Sequence, residues 1–248
     1  MRYYFGLYHW RRRLARLAFA LVVVAGAVLV GRRTASRRVR TLAGLAGLAA
    51  GSVGARTART VLSPPPWRVR RRKYETLARQ LPIDGAATVL DVGCGTGRSL
   101  VGLAPFVPDD CAVVGLDVFD DRIILGNGPR LAVRNGRAAG IDVSPVAGDA
   151  TRLPVATDSQ DVVTACRVLH DLPADDQRAA LAELRRVCAP DGAVGILELP
   201  ITPDGTTADP ESYWTDRITD AGFSIARLER VESDRRTEPH LVFVAEPS

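Results

Sequence analysis

Between Asp91 and Gly97 the chain reads Asp-Val-Gly-Cys-Gly-Thr-Gly, directly after the apolar run Val89-Leu90. A glycine loop that leaves a strand and enters a helix lets a ligand approach the backbone closely, because no Cβ intervenes. Two further acids close apolar runs: Asp117 ends Ala-Val-Val-Gly-Leu-Asp, and Asp149 follows Val143 to Gly148. A carboxylate there can only accept hydrogen bonds, and its two oxygens suit hydroxyl or amino groups. Farther on, Leu169-His170-Asp171 offers a group able to take a proton near neutral pH. Glu198 ends another apolar run and is read as a hydrogen-bonding support. Singly, each of these residues reads equally well as a helix cap or a solvated loop side chain.

The spacing excludes two nucleotide-binding patterns. In a dinucleotide fingerprint Arg98 would stand where the third glycine belongs, with Gly97 one position early. A phosphate loop is excluded because no Gly-Lys-Ser/Thr follows, and the chain's one lysine is Lys73. Cys94, Cys111, Cys166 and Cys188 contain no Cys-x-x-Cys pair and the chain has three His, so no metal site is expected. Scattered cysteines beside Ala and Val read as small buried hydrophobes in a reducing compartment.

These residues need elements to position them. The pattern from Tyr74 onward predicts strands at 88–91, 112–117, 143–147, 161–165 and 193–199. Helices are predicted at 75–81, from about 98, at 131–139, at 174–188 and at 211–221. Two final strands, 223–231 and 240–245, are joined by a short polar link and should pair as an antiparallel hairpin. Strands alternating with helices imply an α/β fold, a Rossmann-like doubly wound sheet of seven strands, mostly parallel. In such a sheet ligands bind beyond the carboxyl ends of the strands, where the strand order reverses. The candidate residues above all fall at those ends.

At this point the sequence resembles the class I S-adenosylmethionine-dependent methyltransferases, most closely the ubiquinone/menaquinone-type and general small-molecule enzymes. The matching stretches are VLDVGCGTG (89–97), VVGLD (113–117), GDATRLP (148–154), SQDVVTACRVLHDL (159–172) and LRRVCAPDGAVGILEL (184–199), and the likeness runs from about Trp67 to Val244. The resemblance implies S-adenosylmethionine as cofactor. Its methionine end would lie against Gly93, Cys94, Gly95 and Gly97, with Asp91 facing the amino group. Asp117 would accept from the ribose diol, Asp149 from the adenine amino group, and Ala150 would offer its backbone N–H. Arg167 and Val168 would line the sulfonium end, and His170 is the candidate base. The link from Val118 to Arg130 is longer than usual: Asn127 could reach the cofactor there, or the link could act as a lid. Pro200 to Pro210 occupies a place where substrate elements vary.

The charge is divided unevenly. From Met1 to Lys73 there are 17 basic residues and no acids; from Tyr74 on there are 16 basic and 28 acidic residues. A pI of 9.4 is therefore no sign of a nucleic-acid-binding body, and no nucleic-acid partner is expected. Leu17 to Gly31 is fifteen residues without a charge, and reaching back to Leu14 past Arg16 gives an apolar span of about 14–31. Arginines bracket it and aromatic residues precede it, as for a membrane anchor; a secretory signal is the alternative, but no small-x-small cleavage site follows. A second stretch, 41–55, has four Gly and five Ala and makes a weaker span, with a Gly47-x-x-x-Gly51 spacing suited to close helix packing. Charge counting favours a cytoplasmic body with one span or with two.

The domain reading is therefore an anchor region at 1–63, a Pro/Arg-rich linker at 64–73 whose cations, Lys73 among them, would rest on anionic lipid headgroups, and a methyltransferase domain at 74–248. The expected enzyme is a membrane-bound methyltransferase acting on a small or lipid-like acceptor, with its domain on the cytoplasmic side. The rival is a tethered scaffold on a non-catalytic methyltransferase fold. No Asn-Pro-Pro-Tyr-like segment follows the fourth strand, where Cys166-Arg167-Val168-Leu169 stands, so methylation of base amino groups has no support.

Overall fold

The computed structural model describes residues 2–61, 63, 65–232 and 239–248. In chain order the elements are β1 (Leu7–Tyr8), α1 (Trp10–Arg33), α2 (Arg37–Val61), α3 (Arg72–Ala78), β2 (Thr88–Val92), α4 (Arg98–Leu103), β3 (Ala112–Asp117), β4 (Ile124–Leu125) and α5 (Pro129–Ala139). There follow β5 (Val143–Ala147), β6 (Gln160–Cys166), α6 (Ala174–Val187), β7 (Cys188–Glu198), α7 (Pro210–Asp220), β8 (Phe223–Val231) and β9 (His240–Pro247). Two units emerge: a body of residues 1–4, 69–119 and 128–248, and a second unit of residues 5–68 and 120–127.

The body is built on a seven-stranded sheet in the order β5-β3-β2-β6-β7-β9-β8. β5, β3, β2, β6 and β7 run parallel, and β9 is antiparallel to both β7 and β8. The order reverses between β2 and β6, so the carboxyl ends of β2, β3 and β6 border the crevice the fold class predicts. This is the expected α/β architecture with its C-terminal hairpin; most of the link between β8 and β9 lies outside the described residues. One face of the sheet is packed by α6 and α7 through Leu181, Leu184, Trp214 and Ile218. On the other, α3 contributes Tyr74, Leu77 and Ala78, and a separate cluster joins Leu100 and Ala132 to Val113 and Val143.

Helix ends follow local chemistry. Asp209 caps α7 by accepting from the Glu211 and Ser212 N–H groups, with Pro210 at the first helical position. α6 carries Asp175 and Asp176 in its first turn and Arg185 and Arg186 in its last, each sign suited to the helix dipole. Two boundaries differ from the sequence reading. α3 starts at Arg72 and ends at Ala78, earlier than the proposed 75–81. The Pro190-Asp191-Gly192 turn is instead an irregularity within β7, where the register with β6 shifts between Gln160 and Val162.

The second unit is a helical pair. α1 is longer than the apolar span read from sequence, at 24 residues, and it is the one helix among the described residues long and apolar enough to cross a membrane, with a mean hydropathy of 2.4 over its best window. The stretch 41–55 is not a separate short segment but the middle of the 25-residue α2. The two pack closely: a Cβ built on Gly47 would lie 3.1 Å from the Ala27 Cβ, and one on Gly54 the same distance from Ala20. Pro64, part of the proposed proline spacer, lies outside the described residues.

Candidate functional site

The glycine loop is fixed by the end of the neighbouring strand. Gly93 and Cys94 both donate their N–H to the Leu116 carbonyl, at 2.8 and 3.0 Å. The Gly95 N–H donates to Asp117 Oδ2 at 2.9 Å, while Asp117 Oδ1 accepts from the Phe119 N–H at 2.7 Å. Asp117 thus ties β3 to the loop after β2. Gly93 and Gly97 must be glycine for separate reasons. Gly93 has φ +73°, and a Cβ there would come within 2.5 Å of the Val168 side chain. Gly97 has φ +78° at the N-terminus of α4, and its Cβ would press on the Ala132 backbone at 3.1 Å.

Asp91 is placed differently from the sequence reading. It is completely buried; Oδ2 accepts from Ser99 Oγ at 2.5 Å and Oδ1 from Thr164 Oγ1 at 2.7 Å. It therefore braces α4 and β6 from beneath the loop rather than facing a ligand. Burial pushes its carboxyl up to about 6, against the two hydroxyls that favour the charged form. Cys94 is also a packing residue: its side chain belongs to the cluster with Leu100 and Val113, and burial with Asp91 and Asp117 nearby pushes its thiol well above the usual range.

Asp149 is exposed at the carboxyl end of β5, with Oδ1 accepting from the Thr151 N–H and hydroxyl at 2.9 Å, and Ala150 beside it is buried. Arg167 follows β6 in a left-handed conformation, φ +63°, held by its N–H donating to the Leu197 carbonyl at 2.7 Å. A non-glycine residue in that region is strained, and such strain gathers at functional sites. Its Nε is buried without a hydrogen-bond partner. Asn127 donates to the Asp120 carbonyl at 3.2 Å, inside its own loop.

Past Arg167 lies a pair that sequence spacing conceals. Glu198, fully buried at the end of β7, accepts from the Val168 and Leu169 N–H groups at 3.1 and 2.8 Å through Oε1. Its Oε2 accepts from the Leu199 N–H at 3.1 Å and lies 2.5 Å from His170 Nδ1. Glu198 is thus the support it was read to be, and its object is His170. In the neutral ring, an Nδ1 proton donated to Glu198 leaves the lone pair on Nε2. Asp171, next to His170 in the sequence, stands 3.5 Å from Nε2, too far for a good hydrogen bond.

Lys73 is the residue most misread from sequence. Instead of reaching headgroups it is 8% exposed, with Nζ 3.4 Å from His240 Nε2 and over the Tyr74 ring. Burial first, then the charges of Arg167, Arg98 and Arg70, bring its ammonium down to about 7. Arg71 also turns inward, donating to the Val101 carbonyl at 3.3 Å, whereas Arg68 and Arg72 stay exposed. The sequence did hold a signal: an otherwise arginine-only chain keeps one lysine. Among the described residues no group of three His, Cys, Asp or Glu side chains could hold a metal ion.

Residues 89–192 match the family described as a methyltransferase domain. A demethylmenaquinone methyltransferase of Lactobacillus johnsonii is 35% identical over 122 residues, 48% of this chain and 47% of that protein. A 27-O-demethylrifamycin SV methyltransferase of Amycolatopsis mediterranei is 31% identical over 146 residues, 56% of this chain and 49% of that protein. The chain spans about half the length of these curated relatives. Among solved structures, a SAM-dependent methyltransferase of Aquifex aeolicus superposes with a TM-score of 0.53 at 21% identity, covering 69% of this chain and 88% of that one. Motif, match and sheet order agree: residues 89–192 are similar to a methyltransferase domain, and the body has the fold of the class I enzymes.

Proposed function

We propose that this protein is a membrane-anchored S-adenosylmethionine-dependent methyltransferase acting on a small, quinone-like or lipid-soluble acceptor. The reading rests above all on the glycine loop hooked onto Asp117 at the point where the strand order reverses. The residues there fit the cofactor. Left-handed glycines shape the loop, the Asp117 carboxylate at the end of β3 suits a ribose diol, and Asp149 and Ala150 stand at the next strand end for an adenine ring. Arg98 and Arg167, whose charges both bear on Lys73, suit the carboxylate of its amino-acid end.

S-adenosylmethionine, when bound, supplies a methyl group already activated on a sulfonium. The chain then has two tasks: to align the acceptor, and to take its proton where the nucleophile is a hydroxyl or an acidic carbon. His170 performs the second through Nε2, and Glu198 holds the imidazole in that tautomer and stabilises the imidazolium that forms. The dyad favours an enzyme over a scaffold, since a scaffold has no need of a buried acid aligned on an enclosed histidine. The relatives' names, which include a quinone methyltransferase, together with the apolar α1, support a lipid-soluble acceptor. A cytoplasmic body is supported by the arginine distribution.

The test is calorimetric binding of S-adenosylmethionine to the full chain in detergent, followed by labelled-methyl transfer into fractionated membrane lipids with the product identified by mass. Binding lost in Asp117→Ala is expected. No binding by the wild-type chain would sink the enzyme reading, and binding without turnover on any membrane fraction would favour the scaffold.

A further inference from the structure

The charge distribution leaves one span or two equally acceptable, and α2 is too poor in large hydrophobic residues to read as a span by itself. Its packing settles which face is which. Gly47, Gly51 and Gly54 line the side of α2 that meets Ala27, Val24 and Ala20 of α1. Leu42, Leu45, Leu48 and Val53 lie elsewhere on α2 and are between 50% and 74% exposed. On α1, Phe19, Leu21 and Val22 are each about 70% exposed. The pair is inside out: its smallest residues are buried between the helices and its largest apolar ones face outward. In water, so large an apolar surface would drive association; in lipid, where helices associate through small residues and close backbones, it is the expected arrangement.

The ends of the pair carry the second observation. α1 and α2 are joined by three residues between Arg33 and Arg37, a tip that holds Arg32, Arg33, Arg37, Arg38 and Arg40. At the other end, Arg13 donates to the Thr60, Val61 and Ser63 carbonyls at 2.6, 3.0 and 3.0 Å, closing the pair as an antiparallel hairpin. The chain before α1 does not run free. The Tyr4 N–H donates to Asn135 Oδ1 at 3.1 Å, Asn135 Nδ2 donates to the Tyr4 carbonyl at 2.7 Å, and Arg2 donates to the Ala138 carbonyl at 2.7 Å. Asn135 is itself fully buried and also donates to the Thr96 carbonyl, so this is a built staple on the body. Next, Leu7 and Tyr8 pair with Leu125 and Ile124, and Trp10 donates to the Asp121 carbonyl at 2.8 Å. Residues 120–127 continue directly from β3 and into α5 of the body.

We propose that α1 and α2 cross the bilayer together as a two-pass hairpin, placing the N-terminus on the same side as the methyltransferase body. A single span would separate residues 2–4 from Asn135 and Ala138 by the whole membrane. Two helices of 24 and 25 residues are about 36 Å long each, enough for a hydrocarbon core of about 30 Å. The tip arginines then reach the far headgroups, and the base holds the larger share of the basic residues, as a cytoplasmic base requires. The inference rests on the anchor reading above and adds its topology.

The experiment uses the full chain with a protease-cleavable epitope at each terminus, in right-side-out and inverted membrane vesicles, beside a Ser36→Cys variant. Retention after alkaline carbonate washing tests the anchor itself; release would overturn anchor and hairpin together. With the protein retained, both epitopes should be cut only in inverted vesicles, and a membrane-impermeant maleimide should label S36C, above the wild-type background, only in right-side-out ones. Epitopes cut from opposite sides would overturn the hairpin and leave the anchor standing. Labelling of S36C from the side of the epitopes would mean a hairpin that enters one leaflet without crossing, and would also overturn the proposal.

Discussion

The helical pair and the body arrange the same residue types in opposite ways. In the body, the large apolar side chains of Leu181, Leu184 and Trp214 are fully buried. In the pair, glycine and alanine fill the contact and Leu48 stands 74% exposed. Polar groups differ as sharply. The body buries Asp91, Glu198 and Lys73 and surrounds each with partners, whereas the pair keeps its arginines at the two ends. Buried polar groups are costly, so they accumulate where they do something. On the proposed function, the body is the region for chemistry and the pair is the region for attachment. A substitution in one should therefore leave the other's property alone.

The largest effect should come from His170→Ala. Removing a positioned general base costs about 10²- to 10⁴-fold in turnover. Cofactor binding and membrane retention should persist, since the side chain is held by Glu198 and not by the glycine loop or Asp117. Steady-state methyl transfer across pH, beside vesicle flotation of the same variant, measures both. An unchanged rate would remove His170 from the reaction; lost retention would break the separation of the regions.

Next comes Leu184→Ala, which opens a cavity beneath β6 and β7 and should destabilise the body by about 2–5 kcal/mol in denaturant unfolding. Close to it in size is the effect of filling Gly93. Gly93→Ala meets the Val168 side chain in a left-handed conformation, so S-adenosylmethionine binding should weaken at least tenfold. Calorimetry on the variant decides it.

A smaller effect follows pH, and it belongs to the body alone. Lys73 has its ammonium lowered to about 7 in the folded chain, against 10.5 ordinarily. Its contribution to stability is present above about 10.5 and is lost as pH falls through about 7, since the unfolded chain binds the proton first. Asp91, raised to about 6 from 3.8, works from the other side: its contribution is present below about 3.8 and is lost as pH rises through 6. Between pH 7 and 8, above the Asp91 transition and below the ordinary thiol range where the raised Cys94, Cys111, Cys166 and Cys188 act the other way, unfolding midpoints should rise with pH in the wild-type chain. In Lys73→Met that rise should flatten. An equal slope in both would mean that Lys73 is not buried as an amine.

The two regions were also unequally legible. The glycine loop, Asp117 and the strand ends could be read because strand alternation and glycine spacing are local properties of the chain. What escaped were pairings across long separations. His170 meets Glu198 from another strand, Asp91 is claimed by Ser99 and Thr164, and Tyr4 is held by Asn135 far along the sequence. Lys73 was misread for a different reason: it closes a run of arginines, and a charge run read by composition carries no information about which member turns inward. In the helical pair the apolar run of α1 was plain, while α2 was underestimated because its contact face is made of residues with almost no hydropathy.

The smallest effect is the most pointed test of the difference between the regions. Leu48→Ala removes as many atoms as Leu184→Ala, from a helix of the same protein. In water an exposed leucine contributes little to folding, and a surface substitution usually stays within about 0.5 kcal/mol. In lipid the leucine's neighbours are acyl chains, which its loss leaves free to close in, so no cavity forms. The body's unfolding midpoint should therefore not move, and the hairpin should still be retained after carbonate washing. If Leu48→Ala instead destabilised the chain as much as Leu184→Ala, then Leu48 would have a protein partner, and the outward face of α2 would be a core surface rather than a lipid-facing one.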